Sequence, residues 1–146
     1  MQPVRILILG TGGMAKNHAE AFAAIPGVSV VAGIDTRAES LAAFQKAHNI
    51  PHGFASVQEA IAWGEFDAVT NVTPDAAHYP TTLPFLAAGK HVLCEKPLAT
   101  NAKDAEEMTT AGQMAGVVNM VNLSYRNVPA LQKAAQMVRD GVIGTI

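Results

Sequence analysis

The chain reads as an α/β domain, a doubly wound parallel sheet with helices on both faces. Three observations predict this. Short runs rich in Val, Ile and Leu alternate with segments of helical periodicity along the 146 residues. The first runs are continuously apolar, as expected of strands covered on both faces. Gly, Pro, Asn, Asp and Ser fall where helices would start or stop.

Val4 to Leu9 is the first such run. Gly10 to Gly13 turns the chain, and Met14 to Ile25 reads as a helix that Pro26-Gly27 ends. Val28 to Ile34 is a second buried strand, stopping at Asp35. Thr36 is expected to cap a helix over Arg37 to His48, with Glu39 completing a loose capping box. Asn49 to Phe54 allows a short third strand at most, because of Pro51 and Gly53. Ser56 and Glu59 form a second capping box before a short helix to Trp63. Phe66 to Val72 reads as a strand, and the helix after Thr73-Pro74-Asp75 runs to Ala88, bent by Pro80 and Pro84. Gly89 ends it, and His91 to Cys94 is the next strand. Asn101 caps a helix to Ala115, Gly116 stops it, and Val117 to Leu123 is a further strand. Pro129 to Asp140 is amphipathic, with Leu131, Ala134, Ala135 and Val138 on one face, and ends at Gly141. Val142 to Ile146 looks like the beginning of another strand.

A chain of this length buries about 70% of its unfolded surface as one domain. With 49% hydrophobic and 15% charged residues it has a globular composition. A net charge of −2 without a Lys/Arg cluster argues against a nucleic-acid partner. The single cysteine, Cys94, excludes an intramolecular disulfide. The apolar runs are too short and interrupted to span a bilayer, and the N-terminus lacks a signal-peptide pattern. A soluble cytoplasmic protein is expected, with no membrane partner and no metal ion.

Gly10-Thr11-Gly12-Gly13-Met14-Ala15 fits G-x-G-x-x-G/A with Ala in third place. It follows a strand, opens a helix, and has Asp35 20 residues beyond Ala15, the context in which this motif binds a dinucleotide. Gly10 makes the tight turn, Gly12 lets the pyrophosphate reach the backbone, and Ala15 keeps helix and strand close. The helix N-terminus then holds the phosphates. Asp35 favours NAD by accepting from the ribose hydroxyls. Arg37 leaves NADP open, since a guanidinium pairs with a 2′-phosphate.

Three further clusters fall at carboxyl ends of expected strands: Asn71-Val72-Thr73-Pro74 with His78, Glu95-Lys96-Pro97, and Asn122 to Arg126. Singly, each has a plain alternative: a turn, a helix-surface histidine, an exposed ion pair. Together they lie along the edge where open α/β sheets bind ligands.

In this order the elements resemble the glucose–fructose oxidoreductase / inositol 2-dehydrogenase / rhizopine-catabolism (Gfo/Idh/MocA) oxidoreductases. The shared features are the glycine loop, Asp35, Thr73-Pro74 with His78, Glu95-Lys96-Pro97, Arg126 with Pro129, and Gly141-Val142-Ile143-Gly144-Thr145-Ile146. The resemblance implies a Rossmann domain of an NAD(P)-dependent oxidoreductase acting on a sugar, a cyclitol or a related polyol. It implies that Lys96 contacts the substrate hydroxyl and helps move its proton. Glu95 would sit near the nicotinamide ribose, and Pro97, often cis in this family, would direct the lysine. Thr73, Pro74 and His78 would line the nicotinamide side, and Asn71, Asn122 and Arg126 complete the expected cofactor-binding set. A lysine amine has a pKa of about 10.4 in water, so a lysine base needs desolvation or a positive neighbour.

On this reading residues 1–122 form the dinucleotide-binding domain. Residues 123–146 are a connecting helix and the start of a second, α+β domain that would supply the substrate pocket and the subunit contacts of a homo-oligomer. The chain then reads as the N-terminal part of a longer protein. Two alternatives stay open: a non-catalytic NAD-binding redox sensor, and another Rossmann dehydrogenase of the homoserine or dihydrodipicolinate reductase type.

Overall fold

A computed structural model describes residues 3–145. Six parallel strands form one sheet in the order β3-β2-β1-β4-β5-β6: β1 (Val4–Leu9), β2 (Val28–Ile34), β3 (His52–Phe54), β4 (Ala68–Asn71), β5 (His91–Cys94) and β6 (Asn119–Val121). The connecting helices are α1 (Gly13–Ala23), α2 (Ala38–His48), α3 (Val57–Trp63), α4 (Asp75–Ala87) and α5 (Ala102–Ala115). A 3-10 turn over Ser124–Asn127 leads to α6 (Pro129–Arg139).

Strand alternation divides the core into two layers. Ile8 joins Ala15, Ala19, Phe44 and Ile50 beneath α1 and α2, whereas Leu7 and Leu9 join Phe66, Val69, Phe85 and Met108 beneath α3, α4 and α5. Each fully buried large side chain contributes about 1.5–3 kcal/mol. Ala15, wholly buried, lets α1 lie close on the sheet.

Several expected boundaries move, each for a local reason. Thr36 does not cap α2. The helix begins at Ala38 with no side-chain cap: Arg37 holds the N-cap position in an extended conformation, its N–H bonded to the Asp35 carboxylate at 2.9 Å. α1 stops at Ala23, short of Ile25. β4 starts at Ala68, since Phe66 is a core plug between Trp63 and Phe85 and Asp67 pairs with Arg5. β6 keeps only Asn119–Val121 of the expected run. The expected caps hold at Ser56, whose hydroxyl accepts from the Glu59 N–H, and at Asn101, which accepts from the Asp104 N–H; the Glu59 carboxylate reaches back to the Ala55 N–H, so the box at Ser56 is half closed. α4 remains one helix through Pro80 and Pro84. The strand expected over Val142 to Ile146 is instead a turn through Ile143 followed by irregular chain, and Ile146 lies outside the described residues. No helix among the described residues is long and apolar enough to cross a membrane.

Candidate active site

The chain runs β1→β2→β3 to one side of β1 and then crosses to β4 on the other. In such a sheet the crevice for a ligand opens where the order reverses, outside the carboxyl ends of the strands. A cleft of about 620 Å³ lies there, lined by Leu9 to Met14, Ile34 to Arg37, Ala55 to Val57, and Val72 to Pro74 with Ala77 and Thr81.

The glycine loop forms its floor. Gly10 has φ +90°, and a Cβ there would stand 3.2 Å from the backbone of Val72 and Thr73, so only glycine lets the loops after β1 and β4 approach this closely. At Gly12 a Cβ would meet nothing within 4 Å. Gly12 is the N-cap of α1, with no side-chain cap bond. The first amides of that helix therefore face open space, as an anion site requires. These residues fit a dinucleotide's pyrophosphate.

Asp35 closes the β2 side. Its Oδ2 accepts from the Thr11 N–H at 3.0 Å, the Thr11 hydroxyl at 2.6 Å and Arg37 Nη2 at 3.4 Å. Its Oδ1 accepts from the Arg37 N–H at 2.9 Å and Nε at 3.3 Å. Burial works to raise its pKa, but the Thr11 and Arg37 donors outweigh it and hold the carboxyl at about 2. The Arg37 side chain is two-thirds exposed, so its ion pair is easily exchanged for another partner.

On the β4 side, Asn71 is fully buried. Its Oδ1 accepts from the Thr73 N–H and hydroxyl at 3.1 and 2.6 Å, and its Nδ2 donates to Thr81 and Thr82 Oγ1, each at 2.9 Å. His78 is also fully buried. Its Nδ1 lies 2.7 Å from the Pro97 carbonyl oxygen and its Nε2 2.9 Å from that of Thr73; both oxygens accept, so a neutral ring donates to one of them while standing between the two loops. Thr73 and Pro74 reach the cleft; Asn71 and His78 support it from beneath.

Asn71 pairs with Cys94 in register, so Val72-Thr73 and Glu95-Lys96 leave the sheet side by side. Lys96 is exposed and the Lys96–Pro97 peptide bond is cis. Glu95, expected near the nicotinamide ribose, is held from within the protein. It is only 7% exposed, and its carboxylate is engaged by His18 Nε2 at 2.9 Å, Asn122 Nδ2 at 2.6 Å and the Lys96 N–H at 3.2 Å. Burial pushes its pKa up, and the Asn122, His18 and Lys96 donors bring it below the ordinary carboxylate range. Burial pushes the neighbouring Cys94 thiol up to about 11, so it is inert.

The structure thus gathers Gly10 to Met14, Asp35, Arg37, Thr73 and Pro74 around the cleft, with Asn71, His78, Glu95, Pro97 and Asn122 bonded into the walls beside it. Arg126 stands apart, in a shallow groove with Tyr125, Leu131 and Arg139. His18 and Thr70 were not legible as site residues. The available signal was a histidine on the buried stripe of α1, three residues after Ala15. Ala55 to Val57 also line the cleft, and the three-residue strand before them carries no sequence signal of it. No group of His, Cys, Asp and Glu suited to a metal occurs among the described residues.

Comparison with known proteins agrees with this geometry. The family described as "Oxidoreductase family, NAD-binding Rossmann fold" matches residues 4–123. The chain is 35% identical over 143 residues to scyllo-inositol 2-dehydrogenase (NADP(+)) of Bacillus subtilis (strain 168), covering 98% of this chain and 43% of that protein. It is 36% identical to 1,5-anhydro-D-fructose reductase of Ensifer adhaerens, covering 94% of this chain and 41% of the relative. Among solved structures, scyllo-inositol dehydrogenase from Lactobacillus casei with bound NAD(H) and scyllo-inositol superposes with a TM-score of 0.88 at 26% identity, covering 99% of this chain and 43% of that one. The WlbA dehydrogenase from Bordetella pertussis in complex with NADH and UDP-GlcNAcA gives 0.90 at 30% identity, covering 96% and 44%. The chain therefore spans about two fifths of the length of these relatives. By sequence and topology it belongs to the Gfo/Idh/MocA oxidoreductase family and carries that family's NAD-binding Rossmann fold.

Proposed function

We propose that the complete protein is an NAD-dependent dehydrogenase of a sugar, cyclitol or related polyol, with Lys96 exchanging the proton of the reacting hydroxyl. One observation carries this reading: an open, uncapped helix N-terminus with Asp35 beside it shares a sheet edge with a lysine two strands away. The amides of Gly12 to Met14 bind the pyrophosphate, and Asp35 accepts from the adenosine ribose hydroxyls once Arg37 yields its place. NAD, when bound, supplies hydride acceptance. Thr73 and Pro74 bound the nicotinamide end, while Asn71 and His78 hold that loop in shape.

Lys96 is exposed in this chain. The low-dielectric surroundings that a lysine base needs come from nicotinamide, substrate and the remaining polypeptide. Residues 1–122 are the dinucleotide domain, and 123–146 begin the connection to a second domain through which the protein forms a homo-oligomer. The exposed apolar residues Leu131, Val138 and Val142 suit such a role. The cytoplasm is the setting that suits a lone, buried thiol. Polyol specificity accords with the scyllo-inositol and anhydrofructose named for the relatives.

The test is Lys96→Ala in the complete protein, with NAD and NADP titrated against both forms. Turnover is expected to fall about 100-fold or more while NAD affinity stays within a few-fold. Full turnover in the variant would overturn the role of Lys96. Tighter binding of NADP than of NAD would overturn the reading of Asp35.

A further inference from the structure

A buried polar line crosses beneath the lysine loop, and the pleat of the sheet puts it there. In β4, Val69 and Asn71 point toward α4, so Thr70 points to the opposite face, under α1. In β5, Cys94 packs on the α4–α5 side, and Glu95, one residue on, turns toward α1. His18 of α1 fills the space between them and is 7% exposed. Its Nδ1 is 2.8 Å from Thr70 Oγ1 and its Nε2 2.9 Å from Glu95 Oε1. Asn122, just past β6, donates to the same Oε1, and Glu95 Oε2 accepts the Lys96 N–H.

The proton pattern follows from the partners. An ionised carboxylate only accepts, so His18 Nε2 carries the proton toward Glu95. In the neutral ring Nδ1 is then free to accept from the Thr70 hydroxyl. Every contact along the line has one donor and one acceptor. His18 does not line the cleft, and its bond to Glu95 is its link to the lysine loop. The ring also belongs to the helix whose first amides floor that cleft. It therefore joins the phosphate-binding element to the first residue of the lysine loop.

We infer that His18 is a positioning residue for hydride transfer: through Glu95 it fixes the backbone at Lys96 relative to α1, and so aims the lysine at the reacting hydroxyl. This rests on Lys96 being the proton-transfer group. A misplacement of about 1 Å from a mutation away from the chemistry can cost about 100-fold in rate.

The experiment uses the complete protein with His18→Leu, which removes both ring bonds, and His18→Gln, whose amide can still donate to Glu95. His18→Leu is expected to lower kcat about 100-fold, with KM and NAD affinity within about threefold, and His18→Gln to recover most of that loss. Nitrogen-15 NMR of the unaltered protein is expected to place a proton on His18 Nε2. The inference is overturned by a kcat that survives His18→Leu. It is equally overturned by parallel loss of NAD affinity and turnover in both variants, which would make His18 a prop for α1, or by a neutral ring protonated on Nδ1. Should His18→Leu not fold, Thr70→Val decides: a loss of about tenfold in kcat at unchanged NAD affinity supports the inference, and an unchanged kcat sinks it. Turnover that survives Lys96→Ala is a separate result. It would remove the functional reading itself, and the role of His18 with it.

Discussion

At the end of β1 the first amides of α1 face open space; at the ends of β4 and β5 the side chains of Asn71 and Glu95 are buried and bonded to protein partners. The amides at Gly12 have no side-chain cap, and a Cβ there would touch nothing. Asn71 and Glu95, at the ends of β4 and β5, spend their polar atoms on protein partners. The difference reflects two tasks. Groups meant for a ligand can stay unpaired at little cost while water serves them. Groups that shape a loop from below are out of water's reach and must be paired.

Breaking the paired half should cost stability first. Asn71→Ala removes the bonds to Thr73, Thr81 and Thr82 and is expected to lower unfolding free energy by about 3 kcal/mol in urea denaturation. A loss below about 0.5 kcal/mol would show that the network holds nothing.

Breaking the open half should cost binding instead. Gly12→Val is expected to leave stability within about 0.5 kcal/mol. By occupying the pyrophosphate's approach it should weaken NAD about 100-fold, or about 2.7 kcal/mol, by titration calorimetry. A variant that unfolds easily yet binds NAD normally would reverse the comparison.

Asp35 belongs to both halves, open to the cleft yet bonded to Thr11 and Arg37, and it sharpens the contrast through pH. Its folded pKa, about 2, lies below the ordinary 3.8. Its contribution is therefore complete above pH 4 and is lost as pH falls toward 2, amounting to about 2 kcal/mol. Against Asp35→Asn, the unaltered protein should show that extra loss of stability across this window. Identical acid profiles would mean that the Thr11 bonds do not stabilise the loop.

Much of the open half was legible in sequence because it is local. Gly10 to Ala15 lie in one turn, and Asp35 ends the next apolar run. The paired half is assembled from distant elements: His18, Thr70, Glu95 and Asn122 come from a helix, a strand and two strand ends. No spacing rule joins them. Glu95 could be singled out by its motif, but not its burial or its bond to the Lys96 N–H. Element boundaries failed where a tertiary partner claimed a local group. Asp35 bonds the Arg37 N–H and the helix starts one residue later than expected, and Phe66 went to the core instead of the ladder. At the end of the chain, Val142 and Ile143 have strand-forming character but pair with no strand among the described residues.

The central place of β1 orders events during synthesis. The first half-sheet, β1 with β2 and β3, is available once Phe54 has been made. Yet one edge of β1 has no partner until Ala68–Asn71 emerges. Through that interval the nascent chain carries an unpaired apolar strand edge, the feature by which chains join wrongly to one another. Only the arrival of β4 seals it, and the same event brings Val72 and Thr73 against Gly10. The protection of the strand and the tight approach at Gly10 come from one step.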